Sequence, residues 1–164
     1  MGIVLSNLEV LIVDDIPSVR ALLRSQLHAF GIHNIREADD GITGLEVLAR
    51  ENIDLVITDW AMKPMDGVEF TRRLRSAGPS KNHTLPVLMV SNHTEYSLIK
   101  GALDAGITQF LAKPLTTKSL GARLAAMFGG RDSEARMHPV DGGDRRRVFA
   151  EGYARRRKSD WDVG

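Results

Sequence analysis

The sequence predicts one α/β domain on a five-stranded parallel sheet, followed by an irregular tail. Four short apolar runs are continuous enough to be strands buried on both faces, and a fifth run is weaker. Amphipathic segments with helical spacing separate these runs. Strands that alternate with helices form a parallel sheet covered on both sides, which is a three-layer, doubly wound architecture.

The predicted strands differ in strength. The strong apolar runs cover residues 10–13, 53–57, 87–90 and 107–111. The weaker run covers residues 32–37, between the first two strong ones. All five are short, as strands of a buried parallel sheet are.

The first two helices show regular apolar spacing. Pro17 suits the first turn of the first helix, and Gly31 suits its end. The apolar face between them is formed by Val19, Leu22, Leu23, Leu27 and Phe30. The second helix is predicted behind Asp40, and its face is formed by Ile42, Leu45 and Leu48.

The third helix is predicted over 68–77, with Asp66 as its N-cap and Gly78 and Pro79 after its end. The last two helices are predicted over 94–105 and 116–128. Together with the strands, these segments predict five strand–helix units.

Charge divides the chain of 164 residues into two parts. Residues 1–128 hold 13 Lys and Arg against 14 Asp and Glu, whereas residues 129–164 hold 9 against 7. The second part is rich in arginine and poor in aliphatic residues, so we expect a folded domain over 1–128 and an irregular tail over 129–164. Because there is no cysteine, signal peptide or long apolar run, we expect a soluble, cytoplasmic protein without membrane insertion.

Chemically active side chains follow the predicted strands. Asp14 and Asp15 follow the first strand, Asp59 the third, Ser91 the fourth and Lys113 the fifth. Because parallel strands end at the same edge of a sheet, we expect these side chains to meet there. Clustered carboxylates repel one another, so a divalent cation is the expected neutraliser, and an all-oxygen site suits magnesium.

Each signal is ordinary by itself. An Asp-Asp pair after a strand more often forms a turn or a helix cap than a functional site. A Lys-Pro pair is common in loops after strands, and an aromatic residue on a strand more often packs in the core than acts as a switch. The conjunction of all these signals at strand ends favours a functional site.

The motifs together resemble the receiver domain of two-component response regulators, in particular CheY-like single-domain proteins, over about residues 7–128. The matching motifs are Asp14-Asp15, Asp59-Trp60, Met65-Asp66-Gly67, Ser91, Phe110 and Lys113-Pro114. The resemblance implies a flavodoxin-like fold with strand order 2-1-3-4-5. It also implies a signalling protein rather than an enzyme.

The resemblance implies a role for each site residue. Asp59 would accept a phosphoryl group from a sensor histidine kinase or phosphotransfer protein. Asp15 and Asp59 would bind magnesium directly and Asp14 through a water molecule, with the backbone carbonyl of Ala61 as a further ligand. Lys113 and Ser91 would bind the phosphoryl oxygens, and Phe110 would turn inward, which changes the surface of the fourth helix, fifth strand and fifth helix. Ala61 and His93 occupy positions that tune dephosphorylation in the family, so the phosphate lifetime stays open.

The tail contains two arginine triplets with aromatic residues between and after them. The positions to which we assign nucleotide binding are Arg145, Arg146, Arg147, Tyr153, Arg155, Arg156, Arg157, Asp160 and Trp161. Guanidinium groups bind phosphate in a fork and pair with the guanine edge. The tail is similar to that of a CheY-like subfamily whose arginine-rich extensions bind cyclic di-GMP.

Two interpretations of the tail stay open. The first is a cyclic di-GMP sensor on a receiver whose output is a flagellar motor switch protein or a kinase. The alternative is a plain phosphorelay or chemotaxis receiver with an incidental or RNA-binding basic tail. No helix-turn-helix pattern follows the domain and 36 residues are too few for an ordinary output domain, so no DNA binding is expected.

Overall fold

The computed structural model describes residues 4–76 and 80–129. The strands are β1 (Glu9–Val13), β2 (Asn34–Ala38), β3 (Leu55–Asp59), β4 (Val87–Ser91) and β5 (Gln109–Ala112). The helices are α1 (Pro17–Ala29), α2 (Gly41–Arg50), α3 (Gly67–Ser76), α4 (Tyr96–Ala105) and α5 (Thr117–Phe128). Short 3-10 turns cover Leu5–Asn7 and Ser80–His83. In this described part, no helix is long and apolar enough to cross a membrane.

The strands form one parallel sheet in the order β2-β1-β3-β4-β5, so the predicted fold class is confirmed. Side chains alternate between the two faces: Leu11 and Val13 enter the core under α2, α3 and α4, whereas Val10 and Ile12 enter the core under α1 and α5. The pairing of Asp59 with Val90 aligns the carboxyl ends of β3 and β4. This alignment creates the edge at which the site is built.

Side-chain caps fix where several helices begin. Asp40 accepts a hydrogen bond from the Thr43 N–H at 2.8 Å. Asp66 accepts one from the Glu69 N–H at 2.8 Å, which confirms the predicted cap of α3. The fifth helix begins one residue later than predicted, because Thr116 caps α5 from outside its first turn.

The fourth helix begins two residues later than predicted. Thr94 precedes α4, and the residue before the helix, Glu95, has an extended backbone. Residues 92–95 form a non-helical connection between β4 and α4, in which the His93 N–H donates to the Ser91 side chain. A local hydrogen bond to a hydroxyl thus replaces the first helical turn.

Two residues predicted on apolar helix faces are exposed. Leu22 of α1 is 45% exposed and Ile42 of α2 is 46% exposed. In α2 the buried residues include Leu48 and Gly44, and a Cβ added at Gly44 would lie 3.1 Å from atoms of both Phe70 and Val13. The missing side chain lets the helix approach the sheet closely at this position, while Ile42 lies on the solvent side of α2.

The strand limits also differ from prediction. β2 covers 34–38 rather than 32–37, β3 begins at Leu55 rather than Ile53, and β5 begins at Gln109 rather than Ile107. Ile53 and Ile107 are nevertheless buried. An apolar run therefore includes buried residues just before a strand as well as the strand itself.

Candidate functional site

Three carboxylates meet where β1 and β3 end. Asp59 is the last residue of β3, and Asp14 and Asp15 follow β1 directly. Each offers an oxygen, and the three oxygens lie within 4.8 Å of one another. Asp14 and Asp59 are buried, whereas Asp15 is exposed. The structure therefore brings together the three carboxylates that the sequence places at strand ends.

Asp14 is held at three points. Its backbone N–H donates to the carbonyl of Ala38 in β2 at 3.1 Å. Its Oδ1 accepts from the Ile16 N–H at 2.8 Å, and its backbone carbonyl accepts from Nη1 of Arg20 at 2.6 Å. These contacts fix both the backbone and the carboxylate of Asp14 within the cluster.

The surroundings raise the pKa of Asp14. Burial is the largest cause, and the hydrogen bond from the Ile16 N–H opposes it. The negative charges of Asp59 and Asp15 raise the pKa further, while the positive charge of Lys113 lowers it. The cluster therefore carries an electrostatic cost that a cation bound between the carboxylates would relieve.

Replacing Asp14 with Asn is expected to raise the stability of the metal-free protein at pH 7, with a Tm gain of about 3 °C. The pKa of Asp14 is higher in the folded than in the unfolded protein, so the destabilising contribution of this one carboxylate decreases as the pH falls through the folded value and is lost below the ordinary value of 3.8. The advantage of Asp14→Asn should therefore shrink toward pH 4. Thermal unfolding in chelator across this range checks the prediction, with Asp39→Asn as control. A constant difference between Asp14→Asn and wild type would contradict it.

Asp59 contacts a lysine that follows β5, two strands away at the same edge of the sheet. Nζ of Lys113, which follows β5, lies 3.3 Å from Oδ1 of Asp59. The same oxygen accepts from the Trp60 N–H at 2.9 Å. The Lys113 backbone N–H donates to the Ser91 carbonyl at 2.9 Å, and its side chain is 18% exposed. Lys113 thus presents a positive charge to a buried carboxylate and remains accessible from solvent.

The remaining predicted site residues lie on the same edge or behind it. Ser91 ends β4, is buried, and accepts the His93 N–H at 2.9 Å through Oγ. Phe110 of β5 is buried in the core beneath α3 and α4. Ala61 lies exposed in the loop after β3. The predicted nucleotide-binding residues of the tail lie outside the described residues.

Gly67 has a structural importance that the sequence analysis did not assign. It begins α3, and its N–H donates to the Trp60 carbonyl at 2.8 Å. A Cβ added there would lie 2.2 Å from the carbonyl oxygen of Asp59. Only glycine fits this approach, so Gly67 lets α3 begin directly against the end of β3, where Asp59 lies. The sequence feature that pointed to Gly67 is its place in the Met65-Asp66-Gly67 motif.

Trp60 and His93 connect the loops that follow β3 and β4. Their ring centroids lie 5.5 Å apart in an edge-on arrangement. Nδ1 of His93 lies 3.9 Å from a carboxylate oxygen of Glu95, the residue before α4. The loop beside Asp59 is therefore in contact with the segment that leads into α4. Spacing in the sequence gives no signal for this contact.

The fold and the site together define a class of protein. It is a doubly wound α/β domain with a buried aspartate, a carboxylate cluster of the kind that holds a divalent cation, and a lysine and a serine on the same sheet edge. The family model described as "Response regulator receiver domain" matches residues 10–125. The chain belongs to this family, and its domain is a CheY-like receiver.

Curated relatives share this similarity over most of their length. The chain is 35% identical to "Chemotaxis protein CheY-3" of Vibrio cholerae serotype O1 over 122 residues, which are 74% of this chain and 92% of the relative. It is 36% identical to "Chemotaxis protein CheY" of Pseudomonas aeruginosa over 121 residues, which are 74% of this chain and 96% of the relative. The matched lengths of 122 and 121 residues are close to the length of the predicted domain.

Solved structures support the same fold. The chemotaxis response regulator CheY4 of Vibrio cholerae is similar with a TM-score of 0.67 and 28% identity, over 73% of this chain and 97% of that one. The receiver domain of a sensor histidine kinase from Pseudomonas aeruginosa PAO1 has a TM-score of 0.67 and 24% identity, over 75% and 98% of the two chains. That second structure has a magnesium ion coordinated in its active-site cleft.

Proposed function

We propose that Asp59 accepts a phosphoryl group from a phosphohistidine on a sensor histidine kinase or phosphotransfer protein. The observation that carries this proposal is the buried Asp59 carboxylate, which shares a cluster with Asp14 and Asp15 and lies 3.3 Å from Nζ of Lys113. In the transfer, the histidine nitrogen–phosphorus bond breaks and its electron pair returns to the imidazole. A bond forms between a carboxylate oxygen of Asp59 and phosphorus.

The donor set fits magnesium. The cluster offers carboxylate oxygens only, which is the ligand type that magnesium prefers. Burial, and after it the negative charges of Asp59 and Asp15, raise the pKa of Asp14, and a bound cation would offset the cost of ionising it. We assign the ion to Asp14, Asp15, Asp59 and the backbone carbonyl of Ala61. A bound magnesium ion neutralises charge on the phosphoryl oxygens.

Lys113 and Ser91 complete the proposed site. Lys113 turns from the Asp59 carboxylate to the phosphoryl oxygens, which carry more negative charge. The Ser91 hydroxyl donates a hydrogen bond to a phosphoryl oxygen, and in this proposal its Oγ moves toward that oxygen and away from the His93 N–H that it accepts here. Phe110 is already buried in this structure, so in this proposal it repacks within the core beside Ser91. This exchange changes the segment before α4.

The proposed output surface is formed by α4, β5 and α5. Tyr96 and Leu98 of α4 are large apolar side chains exposed to solvent, which suits a protein-binding surface. The curated relatives are named chemotaxis proteins, so we propose a flagellar motor switch protein or a kinase as the target. Phosphorylation would shift the population of this surface.

The first experiment tests the magnesium requirement. Full-length protein is incubated with acetyl phosphate and magnesium, and its intact mass is measured. We expect the mass of one added phosphoryl group with magnesium and an unmodified protein in excess chelator. Equal modification in both conditions would contradict a metal-dependent site.

We further propose that the arginine-rich tail binds cyclic di-GMP. The support is in the sequence: the triplets Arg145–Arg147 and Arg155–Arg157 carry six guanidinium groups, and Tyr153 and Trp161 offer faces on which guanine can stack. A chain segment that folds around its ligand loses conformational entropy at that step, which moderates the affinity.

Calorimetric titration of the full-length protein with cyclic di-GMP tests the tail. We expect a dissociation constant on the order of 1 μM or tighter, and at least tenfold weaker binding after both arginine triplets are replaced by alanine. Replacement of Arg131 and Arg136, which lie outside the triplets, is the matched control. No heat of binding in wild type would contradict the proposal. RNA binding with steep salt dependence would favour the alternative.

A further inference from the structure

Arg20 contacts the carboxylate cluster through the backbone of Asp14. It lies near the start of α1, and its Nη1 donates to the Asp14 carbonyl oxygen at 2.6 Å. Its Nε lies 3.4 Å from Oε1 of Glu37 on β2, and the side chain is 18% exposed. Arg20 therefore connects the loop after β1 to β2, directly beside the carboxylate cluster.

Arg24 offers a natural comparison. It lies one helical turn after Arg20 and forms an ion pair with the same residue, through the other carboxylate oxygen of Glu37. Its side chain is 43% exposed, and its contact joins α1 to β2 rather than to the Asp14 carbonyl. The two arginines thus share charge, helix and acidic partner, and they differ in the contact with Asp14.

We propose that Arg20 is a positioning residue for the carboxylate cluster. It fixes the Asp14 carbonyl from outside the loop, while the Ile16 N–H fixes the Asp14 carboxylate from within it. Because Asp14, Asp15 and Asp59 repel one another, the arrangement that receives a divalent cation needs such a restraint. This inference rests on the proposed function, in which the cluster binds magnesium.

The positioning role and the charge of Arg20 predict opposite changes in magnesium affinity when the side chain is removed. A positive charge close to the cluster disfavours a second cation, so removing the charge alone would tighten magnesium binding. Loss of the restraint on Asp14 would weaken it, and changes to groups that orient metal ligands typically cost about 10- to 100-fold in affinity. The sign of the change therefore separates the two roles.

The test is a magnesium titration of full-length wild type, Arg20→Met, Arg20→Lys and Arg24→Met by calorimetry. We expect about tenfold weaker binding for Arg20→Met and a change of less than about twofold for Arg24→Met. Arg20→Lys should be intermediate, since one ammonium can reach the Asp14 carbonyl but lacks the fork that also holds Glu37. Amide hydrogen exchange at Ile16 in metal-free protein should be faster in Arg20→Met than in Arg24→Met.

The outcomes separate the two proposals. Equal affinities of Arg20→Met and Arg24→Met, or tighter binding by Arg20→Met, would overturn the positioning role and leave the magnesium site intact. Absence of magnesium binding by wild type would overturn the proposed function and this inference with it. Thermal unfolding of each variant without metal shows whether it is folded, and Arg20→Lys, which keeps the charge, carries the comparison if Arg20→Met is unfolded.

Discussion

The Asp59→Asn variant is expected to take up no phosphoryl group from acetyl phosphate and magnesium. An amide nitrogen or oxygen is a far weaker nucleophile than a carboxylate, and the loss of the carboxylate also removes one charge from the cation site. The substitution keeps the size of the side chain and an oxygen that can accept the Trp60 N–H. We therefore expect a folded protein that is inactive in phosphoryl transfer, as measured by intact mass.

Asp39→Asn is the matched control for this experiment. Asp39 is an exposed aspartate in the loop after β2, at the same end of the sheet, and it is outside the carboxylate cluster. Its replacement should leave the extent of phosphorylation unchanged. If Asp59→Asn were still phosphorylated, the acceptor would have to be another residue.

Gly67→Ala is expected to destabilise the domain by about 3 kcal/mol, a loss in Tm of about 10 °C. The added Cβ would lie 2.2 Å from the Asp59 carbonyl oxygen, which is backbone and cannot rotate away. The start of α3 would have to move, and the end of β3 that carries Asp59 would move with it. We therefore expect the variant to lose magnesium affinity as well as stability.

Gly101→Ala controls for the general effect of a glycine substitution. Gly101 lies inside α4, and an added Cβ meets nothing within 4 Å. Alanine is favoured over glycine inside a helix by about 0.5–1 kcal/mol, so Gly101→Ala should be slightly more stable than wild type. Chemical denaturation measures both variants. Similar stabilities for Gly67→Ala and Gly101→Ala would contradict the close approach at Gly67.

Much of the fold is readable from the sequence because its signals are local. Continuous apolar runs mark the buried strands, and side chains such as Asp40 and Asp66 mark helix starts through contacts within four residues. The meeting of Asp14, Asp15 and Asp59 is also predictable, since parallel strands end at one edge. These predictions need no knowledge of how the helices rotate on the sheet.

Features that depend on helix rotation and on distant contacts could not be predicted. Leu22 and Ile42 fit the apolar spacing but lie exposed, because neighbouring residues make the helix contacts with the core. The contact of Arg20 with the Asp14 carbonyl depends on how α1 lies against β2. The contact between the rings of Trp60 and His93 joins the loops that follow the neighbouring strands β3 and β4. Such contacts exist only once the sheet is assembled.

The most direct measurement is the location of the phosphoryl group on the intact sequence. Wild type is treated with acetyl phosphate and magnesium, the acyl phosphate is reduced with borohydride, and tandem mass spectrometry finds the converted residue. We predict conversion of Asp59 alone, at the end of β3 beside Lys113. Conversion of Asp14, Asp15 or any residue other than Asp59 would contradict the account of this site.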